Sequence, residues 1–292
     1  MVFYASYENS GISYSINIGN GFNMHVAAVT NKGKRKFNCD GYVLSDRFFA
    51  VCDGIADSAL AVRTTLDFLA LAYSSMNDKL ELGNKLLKYL VSFGCDQQQL
   101  SKIFDFMNDL GSHVHSSSDI RDVALKAHEA ILCLDQKVGT TLVSGYFGNR
   151  DFSFYHQGDS SLIYFDDSGS VCELTKQDTI TADLDLAVLR GDVSRSRNSY
   201  GNGCLSACIG NSGPNFKRKV TSFRLVPGNY LFYTNGIYFD CNYTADVIKK
   251  SYRDGSAWLD RMNHGLFRLT ENVLRGGGED NMTAVLVRIE KS

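Results

Sequence analysis

Apolar positions along this chain recur with two periods, and the switches between them mark out its elements. Met24 to Thr30 (Met-His-Val-Ala-Ala-Val-Thr) reads as a strand closed by the turn signal Asn31-Lys32-Gly33. Tyr42-Val43-Leu44 and Arg47 to Cys52 read as a hairpin about Ser45-Asp46. Its second strand, Phe48-Phe49-Ala50-Val51-Cys52, is apolar without a break and is expected to be buried on both faces. From Ser58 to about Asn77 the period becomes helical, with Leu60, Thr64, Phe68, Leu71 and Ala72 on one face and Asp57 as the expected N-cap. Helices are predicted over Lys79 to Phe93, Gln97 to Leu110 and Asp119 to about Gln136. The last of these carries Ile120, Val123, Ala127, Ile131 and Leu134 on one face. Between them, the Ser-rich stretch Gly111 to Ser118 holds His113 and His115 and reads as an exposed connection rather than a metal-binding pair.

Beyond this the pattern returns to strands. Gly139 to Phe147, Asp151 to His156, Ser161 to Phe165 and Val171 to Leu174 predict an antiparallel meander. Thr175 to Asn215 is polar apart from the island Leu205 to Ile209, and a connection that long calls for a task such as covering a site. Lys217 to Val226 and Asn229 to Thr234 are expected to pair across Pro227-Gly228 as a hairpin. Helices over Tyr243 to Tyr252 and Ser256 to about Leu274 precede a closing strand, Met282 to Ile289. No repeat, linker or shift of composition divides residues 1–292. The expected fold is therefore α+β and one domain: a four-layer αββα sandwich in which two mostly antiparallel sheets pack face to face, flanked by helices.

Composition narrows the function. With 292 residues, 44% of them hydrophobic, the chain can bury a sizeable core. A net charge of -2 gives no basic footprint, so neither nucleic acid nor an anionic membrane is an expected partner. The longest apolar run, Phe68 to Tyr73, falls far short of the ~20 residues that span a bilayer. Eight scattered cysteines without a Cys-x-x-Cys pair, and no basic, apolar leader at Met1 to Ser10, predict reduced thiols in a cytoplasmic protein. Cys204 and Cys208 lack the second ligand pair that a zinc site needs.

Candidate chemistry lies where buried strands run into loops. Asp53-Gly54, Asn235-Gly236 and Asp280-Asn281 each bring an acid or its amide to such a junction. The first hairpin folds Asp40 back beside Asp53, and the basic cluster Lys32, Lys34, Arg35 and Lys36 precedes it. Oxygen ligands from sites far apart in sequence, next to glycines and amides that let backbone approach, suit a hard divalent cation.

In these junctions the chain resembles the metal-dependent protein phosphatases of the PP2C (PPM) family over nearly its whole length. Arg35-Lys36-Phe37-Asn38-Cys39-Asp40 is similar to the family's Arg-x-x-Asn-Glu-Asp, and Phe49-Ala50-Val51-Cys52-Asp53-Gly54 to its apolar strand into Asp-Gly-x-Gly-Gly. Gly139-Thr140-Thr141, Gly158-Asp159-Ser160, Pro227 to Gly236 and Glu279-Asp280-Asn281-Met282-Thr283 follow in the family's order. The resemblance implies hydrolysis of phosphoserine and phosphothreonine on a protein substrate by water activated at two Mn²⁺ or Mg²⁺ ions. It assigns Asp53 to both metals, the Gly54 carbonyl to one and Asp280 with Asn235 to the second. Asp40 is assigned to orienting the water, Arg35 to the phosphate and Asp159 to a third, looser metal.

The chain departs from the pattern at Ile55-Ala56-Asp57, where the glycines are lost, and at Thr234-Asn235-Gly236, where an amide replaces the family's aspartate. Phe239 stands where many members carry a further acid. These departures support an alternative, a catalytically weakened pseudophosphatase that binds a phosphoprotein or another partner. A third class, the self-processing hydrolases, would use Thr140 as a new N-terminus, and it leaves the acids before Thr140 without a task.

Overall fold

The structure, a computed structural model, describes residues 3–6, 10–55, 58–74, 76–110, 119–134, 137–180, 182–183, 204–210, 219–254 and 257–292. Its described strands form two sheets with antiparallel pairings throughout. The first runs in the order β1 (Phe3–Ser6), β4 (Asp40–Leu44), β5 (Phe48–Ile55), β7 (Leu142–Phe147), β8 (Asp151–Gln157) and β11 (Thr221–Arg224), with β6 (Gly139–Thr140) on the end of β5. The second runs β10 (Val171–Glu173), β9 (Ser161–Phe165), β12 (Gly228–Tyr233), β13 (Met282–Lys291), β3 (Phe22–Asn31) and β2 (Ser10–Gly19). Helices α1 (Ala59–Tyr73), α2 (Met76–Ser92), α3 (Gln97–Asp109) and α4 (Asp119–Cys133) cover the first sheet, and α5 (Cys241–Lys250) and α6 (Trp258–Arg275) cover the second. This is the expected αββα order.

Strand periodicity builds the layers. Along β4 and β5, Val43, Phe48, Ala50 and Cys52 face the helices, while Tyr42, Leu44, Phe49 and Val51 face the other sheet. Along β12, Tyr230 and Phe232 enter the space between sheets, and Leu231 and Tyr233 enter the layer under α5 and α6. All three strands are therefore apolar at consecutive positions. The space between sheets is largely aromatic: the Phe152 ring lies 4.5 Å from Phe147, 4.8 Å from Tyr230 and 5.3 Å from Phe223. On α6, Met262, Leu266, Leu269 and Val273 form the buried stripe that helical spacing predicts.

Three local expectations change. The hairpin across Pro227-Gly228 does not form: β11 pairs with β8 in the first sheet, whereas β12 lies between β9 and β13 in the second. The strand with every residue buried takes a central place with two partners, and the largely exposed β11 takes an edge. The meander likewise splits into a β7–β8 hairpin and a β9–β10 hairpin in different sheets, with the crossing at Gly158-Asp159-Ser160. The N-cap of α1 is Ser58, whose hydroxyl accepts from the Ala61 amide at 3.2 Å, and Asp57 lies outside the described residues. So do His113, His115 and most of the polar stretch from Thr175 to Asn215, of which Ile209 pairs with Thr140 and Leu205 with Thr179. One hairpin was missed, β2–β3, whose inward Ile12, Tyr14, Ile16 and Ile18 alternate with polar residues.

Phe152→Ala removes the ring at the centre of the aromatic layer and is expected to cost about 3–5 kcal/mol. Urea denaturation checks it, and a loss below about 1 kcal/mol would mean that the layer tolerates a cavity there.

Candidate active site

The β4–β5 register sets Asp40 directly opposite Asp53 at the end of the first sheet. Backbone bonds fix the Asp53 main chain on both sides. Its carbonyl accepts from the Thr141 amide at 2.9 Å and the Thr140 hydroxyl at 2.8 Å, and its amide donates to Thr141 Oγ1 at 3.1 Å. The next amide, Gly54, donates to the Cys39 carbonyl at 3.0 Å. A Cβ on Gly54 would stand 2.7 Å from that carbonyl oxygen, so only glycine lets the loops close this tightly.

The second sheet supplies the rest. Thr234, at the end of β12, donates its hydroxyl to Asp40 Oδ2 at 2.7 Å and accepts from the Thr283 amide at 2.9 Å, so one side chain joins the two sheets at the acids. Gly236 packs so closely on the Asn281 carbonyl that a Cβ there would overlap it. Asn281 clamps the loop before β4: its amide nitrogen donates to the carbonyls of Lys32 at 2.8 Å and Phe37 at 2.9 Å, and its oxygen accepts from the Cys39 amide at 2.8 Å. Asn38 donates to Thr30 Oγ1 at 2.8 Å beneath. Neither Thr234 nor Asn281 was singled out from sequence, although both belong to the motifs that flank Asn235 and Asp280.

Asp53, Gly54, Asp159, Asn235, Asp280 and Arg35 all line one cavity of about 250 Å³, and Asp40 lies behind it, 1% exposed. The fold thus brings every expected site residue together. Arg35 and Asp280 form a two-point pair, Nε to Oδ1 at 3.0 Å and Nη2 to Oδ2 at 3.1 Å. Asn235 donates to Asp159 Oδ2 at 2.9 Å. Withdrawal from solvent raises Asp53 well above the usual carboxylate range, and the charges of Asp40, Asp159 and Asp280 add to it. Burial likewise pushes Asp40 up to about 7, against the Thr234 hydrogen bond, which favours its charged form. Burial raises Asp159, and the Asn235 bond opposes it.

A cluster of mutually repelling carboxylates with oxygen atoms to spare fits a hard cation. Asp40 Oδ1 and Asp159 Oδ1 are buried without a hydrogen-bond partner, a state that normally costs about 1–3 kcal/mol or more. As the side chains are placed, no three or more His, Cys, Asp or Glu among the described residues are gathered tightly enough to hold a metal ion. The partners explain part of this, because Asp280 is turned to Arg35 and Asp159 to Asn235.

No family model and no curated protein matches the sequence. Solved structures do match. The catalytic domain of the serine/threonine protein phosphatase PstP, in complex with two manganese ions, aligns with a TM-score of 0.63 at 18% identity, covering 92% of this chain and 99% of that one. The PPM Ser-Thr phosphatase MsPP from Mycobacterium smegmatis, in complex with cacodylate, aligns at 0.54 and 20% identity over 90% and 97%. The S. agalactiae serine/threonine phosphatase aligns at 0.61 and 17% identity over 91% and 100%. The fold is that of the PPM-type serine/threonine phosphatases. Among the described residues, no helix is long and apolar enough to cross a membrane.

A carboxyl with a raised folded-state pKa contributes stability that is fully present below its unfolded value, about 3.9, and lost as pH rises through the folded value. For Asp40 that loss extends to about pH 7, and Asp53, whose carboxyl is raised by the same burial, adds a loss of the same sign. In metal-free protein, Asp53→Asn is therefore expected to raise Tm by about 3 °C or more at pH 8 and by clearly less at pH 5, where only part of the loss has been incurred. Equal shifts at both pH values in chelator-treated samples would show that charge repulsion is not stored there.

Proposed function

We infer that residues 1–292 form one domain that hydrolyses phosphoserine and phosphothreonine on proteins with the help of divalent cations. The observation that carries this reading is the pair of strand-end carboxylates, Asp40 and Asp53, held opposite each other beneath a cavity that Asp159 and Asp280 also line or charge. Asp53, the Gly54 carbonyl, Asp280 and Asn235 would hold two Mn²⁺ or Mg²⁺ ions, with Asp159 at a third, looser site. The two manganese ions of the PstP structure support that number. Bound there, the cations supply Lewis acidity and make water a competent nucleophile near neutral pH.

The chain's own residues do the positioning. Thr234 holds one oxygen of Asp40, the part of the cluster deepest from solvent, and so fixes the orientation of that carboxylate. Arg35 offers a planar fork that already grips a carboxylate, and a phosphate competes for the same two donors. The Asn281 clamp fixes the loop that carries Arg35. Eight free thiols support a cytoplasmic setting.

Asn235 favours the second reading, the weakened pseudophosphatase, since it brings an uncharged ligand and ties up Asp159. Turnover separates the two. The purified protein is expected to hydrolyse p-nitrophenyl phosphate only with Mn²⁺ or Mg²⁺, to stop on chelation, and to lose at least about a hundredfold in kcat on Asp53→Ala. Activity within about threefold of wild type in that variant would remove Asp53 from the centre.

Asn235→Asp replaces the amide that donates to Asp159 by a second carboxylate at 2.9 Å. Repulsion should lower the Tm of the metal-free protein, and the added charge should tighten Mn²⁺ binding by about tenfold or more, read by calorimetry. An unchanged Tm in chelator together with unchanged Mn²⁺ affinity would place Asn235 outside the metal cluster.

A further inference from the structure

A second, larger cavity of about 910 Å³ opens directly from the acid cluster, sharing Asp159, Asn235 and Asp280 with the smaller one. Its size is that of a ligand site, roughly 300–1,000 Å³. One wall is aromatic. The Tyr238 and Phe239 rings lie 4.7 Å apart, Tyr243 backs Phe239 at 4.7 Å, and Tyr238 is 54% exposed. Tyr238 is seated on Gly276 at the end of α6, where any side chain would overlap its hydroxyl. The rings are therefore presented to the cavity by packing beneath them.

Charge gives the cavity a sign. Apart from the acids it shares with the smaller cavity, its described lining carries Glu173 and Asp240 against one cation, Lys176. Asp240 is rigid, because it caps α5 by accepting from the amides of Asn242 at 2.9 Å and Tyr243 at 3.0 Å. Glu173, the last residue of β10, is exposed to the cavity, so its carboxylate is open to a partner of opposite charge. The basic residues Lys32, Lys34, Arg35 and Lys36 all belong to the loop between β3 and β4, and among them only Arg35 reaches the smaller cavity. Nothing of that cluster lines the larger one.

We propose that this trough is the subsite for the substrate chain next to the phosphorylated residue, and that it selects a basic side chain there. Glu173 and Asp240 pair with the cation, and the Tyr238 and Phe239 faces cover its stem and head. The proposal rests on the phosphatase reading for the position of the phosphate, and on the trough alone for the sign of the flanking residue. Complementary charge of this kind sets partner choice and encounter rate more than raw affinity.

Two phosphoserine peptides, identical except for arginine or glutamate on both sides of the phosphoserine, test it with the full chain in Mn²⁺. The arginine peptide is expected to be favoured by about tenfold in kcat/KM, through KM, and the Glu173→Gln/Asp240→Asn double variant to bring that ratio below about threefold. Asparagine caps helices as well as aspartate does, so the variant removes charge and keeps the cap. A wild-type ratio near one, or a ratio that survives in the double variant, overturns the proposal. Wild-type turnover of p-nitrophenyl phosphate reports on the phosphatase reading separately. If that turnover is absent, fluorescence polarisation of the same two peptides decides the trough by itself: about tenfold tighter binding of the arginine peptide upholds it, and equal binding overturns it.

Discussion

The constraint on which the rest depends is the opposition of Asp40 and Asp53 at the ends of two buried strands. Antiparallel register places them face to face, and removal from water raises the cost of charging either one. Asp159 and Asp280 add like charge from the other side of the cavity. The hydrogen bonds from Thr234 to Asp40 and from Asn235 to Asp159 offset only part of this. Such a cluster stores electrostatic free energy that only protons or cations relieve.

The fold tolerates that cost because stability is generated elsewhere. Three apolar layers, one between the sheets and one under each set of helices, carry the burial. The acids sit where the strands leave those layers, so the sheets act as rigid arms that cannot relax the repulsion by moving apart. Thr234 and Asn281 make the two arms one unit. They bond from the second sheet to Asp40 and Cys39 at the start of β4, and to Lys32 and Phe37 in the loop that joins the two sheets.

Two side chains near the cluster already have partners that a bound ligand would replace. Arg35 holds Asp280 by two points, and Asn235 holds Asp159 by one. Each contact neutralises or satisfies an acid, and on the proposed reading each would be given up for that acid to face a metal. On that reading the residues around the acids are a preformed but self-occupied candidate site. The same contacts also explain why the acids crowd one cavity without closing on a single point.

The sequence alone determined most of the elements, though not β1 and β2, and the first half of the candidate site. An unbroken apolar run into Asp53-Gly54 requires a buried strand with an acid at its end, and a short hairpin before it returns Asp40 to the same end, because period-two geometry allows little else. Amphipathic spacing placed α1, α4 and α6 to within a few residues. Tertiary structure decided what turn chemistry cannot. Pro227-Gly228 and Gly158-Asp159 reverse the chain equally well inside one sheet or between two, and only the demand for two covered faces on β12 and β9 sends them across. The contacts that complete the site, Thr234 to Asp40, Asn281 to Cys39 and Arg35 to Asp280, join residues 194, 242 and 245 positions apart. No local pattern encodes a partner at such a distance, because hydrogen bonds of this kind depend on where whole sheets come to rest.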